Sequence, residues 1–284
     1  MAIIDKKGFI RGRIGNMVYR KVGDTNIIQS RPGEVRQTAA TKESALEFGL
    51  ASSTAKVLRQ MFTGLSHYAD GSMINRLNNT VLNAIRSGTE ETRGQRDLHH
   101  ADLSTLIGFQ FNRNSPLDET LLISPDIVIN NNGLVKITIP AFESNELCWL
   151  PAANGCFLRF TVISVDFKQQ YHQLLGHHEI DVSKGKNMEQ MEWTTPERAE
   201  KGSIILVALS VVFYAPDGIR RDGIVLNDKS FFPAAIIAAF HSPYTANGKE
   251  NKETDSYRFP LAGYQGEDML RELKRLQLKE SKKK

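Results

Sequence analysis

Ser203-Ile204-Ile205-Leu206-Val207-Ala208-Leu209-Ser210-Val211-Val212-Phe213-Tyr214 covers nearly all of the longest apolar run of the chain, Ile204 to Ala215. It reads as a strand apolar enough to be buried on both faces. Lys201 and Asp217 bound the run, which is too short for the ~20 residues a membrane helix needs. Ala215-Pro216-Asp217-Gly218 follows with turn chemistry in four residues. A second long strand is expected at Cys156–Ile163. Shorter ones are expected at Leu106–Phe111, Asp126–Ile129 and Leu134–Ile139. The last two flank Asn130-Asn131-Asn132-Gly133, a hairpin signal. Ile236-Ile237 adds one more, with Pro233 demoting its start. Strands at this spacing predict an antiparallel β-sandwich, compatible with an immunoglobulin-like layout, over residues 93–266. No repeat of solenoid or propeller period occurs.

Upstream the texture differs. Met17-Val18-Tyr19 and Asn26-Ile27-Ile28 are β-prone, and Val22-Gly23-Asp24-Thr25 between them is a turn signal. They predict a hairpin surrounded by Arg11, Arg13, Arg20, Lys21 and Arg31. Gly8, Gly12 and Gly15 suggest a bent or closely approached backbone before the first strand. Pro32-Gly33 ends the second strand. A helix capped by Thr41 follows, with Ala45, Phe48, Ala51, Ala55, Leu58 and Phe62 on one face and a stop at Thr63-Gly64. Its alternation of small and large residues permits close approach of a partner helix. A second helix, from Asp70 or Ser72 to Ser87-Gly88, turns Ile74, Leu77, Val81 and Ile85 inward and completes an αα-hairpin. Residues 89–96 read as a polar linker. The fold class is therefore α+β: residues 1–92 form a basic β-hairpin and helical pair, and the sandwich follows. Residues 242–256 look like a loop. From Asp268 a helix carries Met269, Leu270, Leu273 and Leu276 on one side and ends in Lys282-Lys283-Lys284, so residues 267–284 form a basic tail. This tail reads either as a solvated end or as an arm that docks on the acidic body of a neighbour.

An apolar content of 40% and a charged content of 24% are ordinary for a globular protein. The net charge of +4 conceals a strong partition, +7 over residues 1–96, −8 over 97–268 and +5 over 269–284. Such a layout suits charge-steered association, with an anionic polymer or between copies of the chain. Charge in Asp5-Lys6-Lys7 stands where a secretory signal would carry its apolar core, so the expected location is cytoplasmic. Cys148 and Cys156 are too few for a disulfide framework, and both are expected to be small buried hydrophobes.

Chemistry-bearing motifs are sparse. His177-His178-Glu179-x-Asp181 would place three ligand types on one face of a strand. Gly176 and Ser183-Lys184-Gly185-Lys186 argue for an exposed turn instead. Asp97-x-His99-His100-x-Asp102 is expected to be polar surface. No nucleophile elbow, Ser-x-x-Lys, His-Glu-x-x-His or phosphate-cradling loop is present. No catalytic residue, metal site or cofactor is therefore assigned. Nucleic-acid binding has more support: Arg11, Arg13, Arg20, Lys21, Arg31, Arg36, Arg59 and Arg76 are interleaved with Phe9 and Tyr19. No DNA-reading motif accompanies them.

Gly12-x-x-Gly15-Asn16-x-Val18-Tyr19, Ser30-Arg31-Pro32, Gln37-Thr38, Phe48 and the small-residue helix resemble the opening of a Bacteroidota family that is a domain of unknown function. The similarity extends over residues 8–112, including Gly108-Phe109-Gln110-Phe111-Asn112, and then thins to Val212–Gly218. Thr38-Ala39-Ala40-Thr41 departs from the family's Thr-Pro-x-Gln type helix start. The resemblance implies a non-secreted bacterial protein with a β-rich C-terminal half. It implies no activity, cofactor or catalytic residue.

The function expected from these features is that of a non-catalytic structural or assembly protein. It would associate with itself or with a protein partner, and a phage-derived or contractile-particle component is one concrete version. The interaction residues expected are Arg11, Arg13, Tyr19, Arg20, Lys21 and Arg31. A nucleic-acid-binding module is the alternative, and an enzyme without recognisable motifs the third. No membrane partner and no small-molecule substrate is expected.

Overall fold

The computed structural model describes residues 2–31, 33, 37–88, 93–216, 223–243 and 258–281. In chain order the first elements are β1 (Ala2–Ile4), β2 (Ile10–Ile14), β3 (Met17–Val22), β4 (Thr25–Ser30), α1 (Ala39–Met61), α2 (Thr63–Ser66) and α3 (Met73–Ser87). Two 3-10 turns, Leu98–His100 and Leu103–Leu106, precede α4 (Leu117–Thr120), β5 (Asp126–Ile129) and β6 (Val135–Ile139). Then come β7 (Gly155–Asp166), β8 (Tyr171–Ser183), β9 (Met191–Thr194), β10 (Ile204–Ala215), β11 (Ile224–Val225), β12 (Ala234–His241), β13 (Arg258–Pro260) and α5 (Gly266–Ser281). Contacts divide the chain into two compact units, residues 1–42 and 43–284. The class is α+β.

The N-terminal unit is a four-stranded antiparallel meander in the order β1-β2-β3-β4, two strands more than the hairpin expected. The extra strands were hidden by Arg11, Gly12 and Arg13, which dilute the β signal of Ile10–Ile14. Two tight turns set the register. Ile14 pairs with Met17 across Gly15-Asn16, and Val22 pairs with Thr25 across Gly23-Asp24. Gly15 and Gly23 stand at φ +55° and +59°, a conformation that a side chain would strain.

In the larger unit, β10 is the axis of an antiparallel sheet, hydrogen-bonded to β7 on one side and to β12 and β11 on the other. The sheet continues from β7 to β8 and β13. A smaller sheet, β5-β6-β9, forms the second layer of the sandwich. Alternation along β10 sends Ile204, Leu206, Ala208 and Val212 into a core shared with the helices. Ile205, Val207, Leu209, Val211 and Phe213 enter a second core shared with β5 and β6. Every residue from Ile204 to Phe213 is buried, as its composition predicts. The Asn130–Gly133 hairpin forms as read, with Ile127 opposite Ile137. Asn130 Oδ1 accepts from the Asn132 and Leu134 amides at 2.9 and 3.0 Å.

Several local expectations fail for identifiable reasons. Leu106–Phe111 is no strand: Leu106 closes a 3-10 turn, and Gly108 at φ +82° breaks the extended backbone. The segment still borders β12, with Gly108 N–H donating to the Ile236 carbonyl at 2.8 Å and Phe111 N–H to the Ala234 carbonyl at 2.8 Å. The buried face of α1 is rotated from the expected one. Phe48 is 52% exposed, whereas Glu47 is 1% exposed. Glu47 receives Arg86 Nε at 3.0 Å and Arg96 at 2.6 Å, so the buried charge is compensated. Arg93 pairs with Glu43 at 3.3 Å, which makes 93–96 a clamp rather than a solvated linker. In α3, Ile74 is half exposed and Met73 takes the inward position. α1 and α3 are antiparallel: Arg86 reaches Glu47 near the start of α1, and Asn78 meets Ser52 and Arg59 further on. Thr63-Gly64 does not stop the helix in solvent but opens the short α2.

The C-terminal helix docks on its own chain. Leu270 and Leu273 are buried, and Met269 lies against Gly49 of α1, where an added Cβ would approach Sδ to 2.9 Å. Gln265 N–H donates to Ser53 Oγ at 2.9 Å. The close helix approach permitted by the small residues of α1 is therefore used within the molecule. Residues 89–92 of the expected linker, Asp217-Gly218 of the expected turn, Arg36, most of the 242–256 loop and Lys282–Lys284 lie outside the described residues.

Candidate functional site

The six basic and aromatic residues singled out in the sequence do not form one cluster, because strand alternation separates them. By register, Ile4, Ile10, Ile14, Met17, Tyr19, Lys21 and Ile28 share one face of the N-terminal sheet. Ile3, Arg11, Arg13, Val18, Arg20, Val22, Ile27 and Gln29 share the other. Arg11, Arg13 and Arg20 thus lie opposite Tyr19 and Lys21. Arg31 follows β4, its N–H donating to the Asn16 carbonyl at 2.7 Å.

Local partners tie up part of this charge. Arg11 lies 3.6 Å from Asp5, whose carboxyl is held below the usual carboxylate range chiefly by the Phe9 amide. Arg13 Nε donates to the Gly15 carbonyl at 3.0 Å, and Arg20 to Gln29 Oε1 at 2.8 Å. Lys21 sits 3.7 Å above the Phe9 ring and 3.3 Å from Asp24. Arg76, by contrast, is structural: it is half-buried, pairs with Asp70 and donates to the Gln110 carbonyl at 2.8 Å. Asp70 also accepts from Ser72 and from the Arg113 amide, and these bonds hold its carboxyl far below the usual range against the opposing effect of burial.

A more telling property of the sheet is what it fails to bury. No described residue from 2 to 38 is buried. Ile3, Ile4, Ile14, Met17, Val22, Ile27 and Ile28 are all exposed, at 36% to 70%. Three or more strands are stable when a hydrophobic face is covered, and contiguous exposed apolar surface marks an interaction site.

The histidine clusters resolve differently from expectation. His177, Glu179 and Asp181 lie on β8 rather than in a turn and do share a face. Each is engaged across the sheet. His177 Nδ1 is 3.2 Å from Thr161 Oγ1, Glu179 pairs with Arg159, and Tyr214 Oη donates to Asp181 at 2.6 Å. Among the described residues no group of three or more His, Cys, Asp or Glu side chains is arranged to hold a metal. His99, expected on the surface, has a buried side chain. Its Nε2 accepts from the Phe167 amide at 3.1 Å, and its Nδ1 faces the Gly202 carbonyl at 3.1 Å, which fixes a neutral tautomer. Burial lowers its pKa, against the opposing pull of Asp97 and Asp166. Cys156 is buried and its thiol is pushed up to about 12, but Cys148 is exposed. The expectation for Cys148 is corrected.

One concave site was not foreseen. A cavity of about 350 Å³ opens where Phe62, Leu65 and Tyr68 meet Arg159, Thr161, His177 and Ser210 of the main sheet. Its polar residues come from three strands, and only register brings them together: Ser210 is opposite Arg159, and Thr161 is opposite His177. No spacing in the sequence signals that.

The chain matches no protein-family model and no curated protein. Among the described residues no helix is long and apolar enough to cross a membrane.

Proposed function

We propose that this chain is a non-catalytic structural or assembly protein that self-associates through its N-terminal sheet. The observation that carries the proposal is the absence of any buried residue in a four-stranded sheet that displays isoleucines on both faces. The occupant proposed for the face of Ile4, Ile14, Met17 and Ile28 is the same face of a second copy. Only Lys21 brings charge to that face, and Asp24 accompanies it. Arg11, Arg13 and Arg20 point away from such a seam, so two basic sheets can meet without opposing their arginines. Their outward face suits the complementary body of a further copy, since residues 1–42 carry +6 and residues 43–284 carry −2.

The test is light scattering coupled to size exclusion, at low and high salt, with absorbance recorded at two wavelengths. The Ile4→Thr, Ile14→Thr, Ile28→Thr variant is expected to shift the mass to monomer while its melting temperature changes little. Arg11→Glu, Arg13→Glu, Arg20→Glu is expected to remove only salt-sensitive higher species. An assembly that survives the isoleucine triple sinks the proposal. A nucleic-acid-rich peak that salt strips to monomer puts a binding module in its place.

A further inference from the structure

We propose that the cavity between the α1–α3 connection and the main sheet binds a small organic carboxylate with a flat aromatic body. The site belongs wholly to the larger unit and is independent of the N-terminal sheet. Its volume, about 350 Å³, lies within the range of small-molecule sites, roughly 300–1,000 Å³.

The walls select the body. Tyr68 stacks on Phe232 with centroids 4.5 Å apart and planes 13° from parallel. Together with Phe62, Leu65 and Val212 these rings line the apolar side of the cavity. Flat apolar walls favour a ring, which stacks at an offset at little conformational cost.

The floor selects the head. Arg159 donates through Nε to Glu179, which leaves both terminal amino groups of its guanidinium without a hydrogen bond among the described residues. Ser210 is 1% exposed, lines the cavity and has no hydrogen-bond partner among the described residues. Thr161 and His177 share one hydrogen bond at 3.2 Å. Whichever of the two donates in that bond, a donor remains on the other side of the pair. The floor therefore offers several unspent donors, whereas no carboxylate is among the described residues that line it; Glu179, outside the lining, pairs with Arg159. A group rich in acceptors fits this inventory, and a planar carboxylate matches the free edge of a guanidinium in two parallel bonds. A cationic head would meet the like charge of Arg159 in a lining that has no acidic residue among those described.

The experiment uses the full chain and three probes of one shape, benzoate, benzamide and benzylamine, in saturation-transfer NMR, which tolerates large assemblies. Benzoate is expected to give the strongest ring saturation and benzylamine none above a non-binding control. Arg159→Met with Glu179→Gln, which removes the fork without stranding its carboxylate, is expected to weaken benzoate by about tenfold, the size of one charge-assisted hydrogen bond. Ser210→Ala provides a second variant should the first melt early, and is expected to weaken benzoate while leaving benzamide closer to unchanged. Equal saturation by benzylamine, no saturation by benzoate, or an undiminished signal in both variants overturns the proposal. These readouts do not depend on oligomeric state, so their failure is separate from failure of the assembly reading.

Discussion

β4 and β10 are both antiparallel strands with adjacent isoleucines, and they meet opposite fates. Ile27 and Ile28 of β4 are exposed, whereas Ile204 and Ile205 of β10 are completely buried. β10 is laddered along both edges and β4 along one, but ladder bonds run in the plane of a sheet and cover neither face, so they do not account for the isoleucines. The difference is a layer. β10 has helices on one side and a second sheet on the other, and each isoleucine finds a dry surface. β4 has a ladder but no covering layer among the described residues of its own unit. The lesson is that strand formation and core formation are separate achievements, and a strand that attains only the first has surface to spend on another molecule.

The comparison breaks most visibly in stability. Phe160, fully buried between β7 and the smaller sheet, should cost about 3–5 kcal/mol on replacement by alanine. Ile28→Ala in dispersed protein should stay within about 0.5 kcal/mol, the range for surface changes. Urea denaturation at matched monomer concentration measures both, and similar costs would show that the N-terminal sheet has a hidden core.

A next, smaller effect concerns Glu47. Removing one partner of a buried ion pair costs about 3–5 kcal/mol, and Arg96→Ala should fall at or below the lower end, because Arg86 still reaches the carboxylate. Arg20→Ala, whose guanidinium is exposed and, among the described residues, bonded only to Gln29, should be nearly silent in the same denaturation series. A large loss at Arg20 would mean that the basic face is structural rather than available.

Acid titration sharpens the contrast further. His99 is held neutral by burial, and its folded pKa lies below the unfolded value of 6.5. As pH falls through 6.5 the unfolded chain therefore takes up the proton first, and stability present above that pH is progressively lost. Burial shifts His172 and His178 in the same direction. The melting temperature should fall between about pH 7.5 and about pH 5.5, a window in which ordinary carboxylates remain ionised. His99→Gln should reduce that fall. An identical pH profile in the variant would assign the effect elsewhere. Smallest of all, Phe48→Ser and Ile74→Thr, on the outer surfaces of α1 and α3, should each change unfolding free energy by less than about 0.5 kcal/mol, and circular-dichroism melts suffice to check them.

Much of this architecture was legible because local physics dictates it. Alternation and uninterrupted apolarity marked β10 for burial, Asn130–Gly133 closed its hairpin, and Gly23-Asp24 turned β3 into β4. Errors arose where a partner distant in sequence overruled a local rule. Periodicity assigned Phe48 to the core, and arginines some 40 to 50 positions away hold Glu47 there instead. Asp97-x-His99-His100-x-Asp102 looked like surface because the Gly202 and Phe167 backbone groups that enclose His99 arrive from 68 to 103 positions downstream. The cavity was invisible for the same reason: Arg159, His177 and Ser210 become neighbours only through register. Even the expected interaction residues were read by proximity along the chain, and strand pairing divided them between two faces.

The sequence by itself thus determined the helices α1, α3 and α5, the strands β3 to β7 and β10, the tight turns between β3 and β4 and between β5 and β6, and how charge is distributed, because each depends on a residue and its near neighbours. Tertiary structure alone decided which apolar faces are covered, which charges are paired and which polar groups meet at a cavity. Those outcomes depend on contacts between residues far apart in the chain, and burial is a property of the neighbour as much as of the side chain.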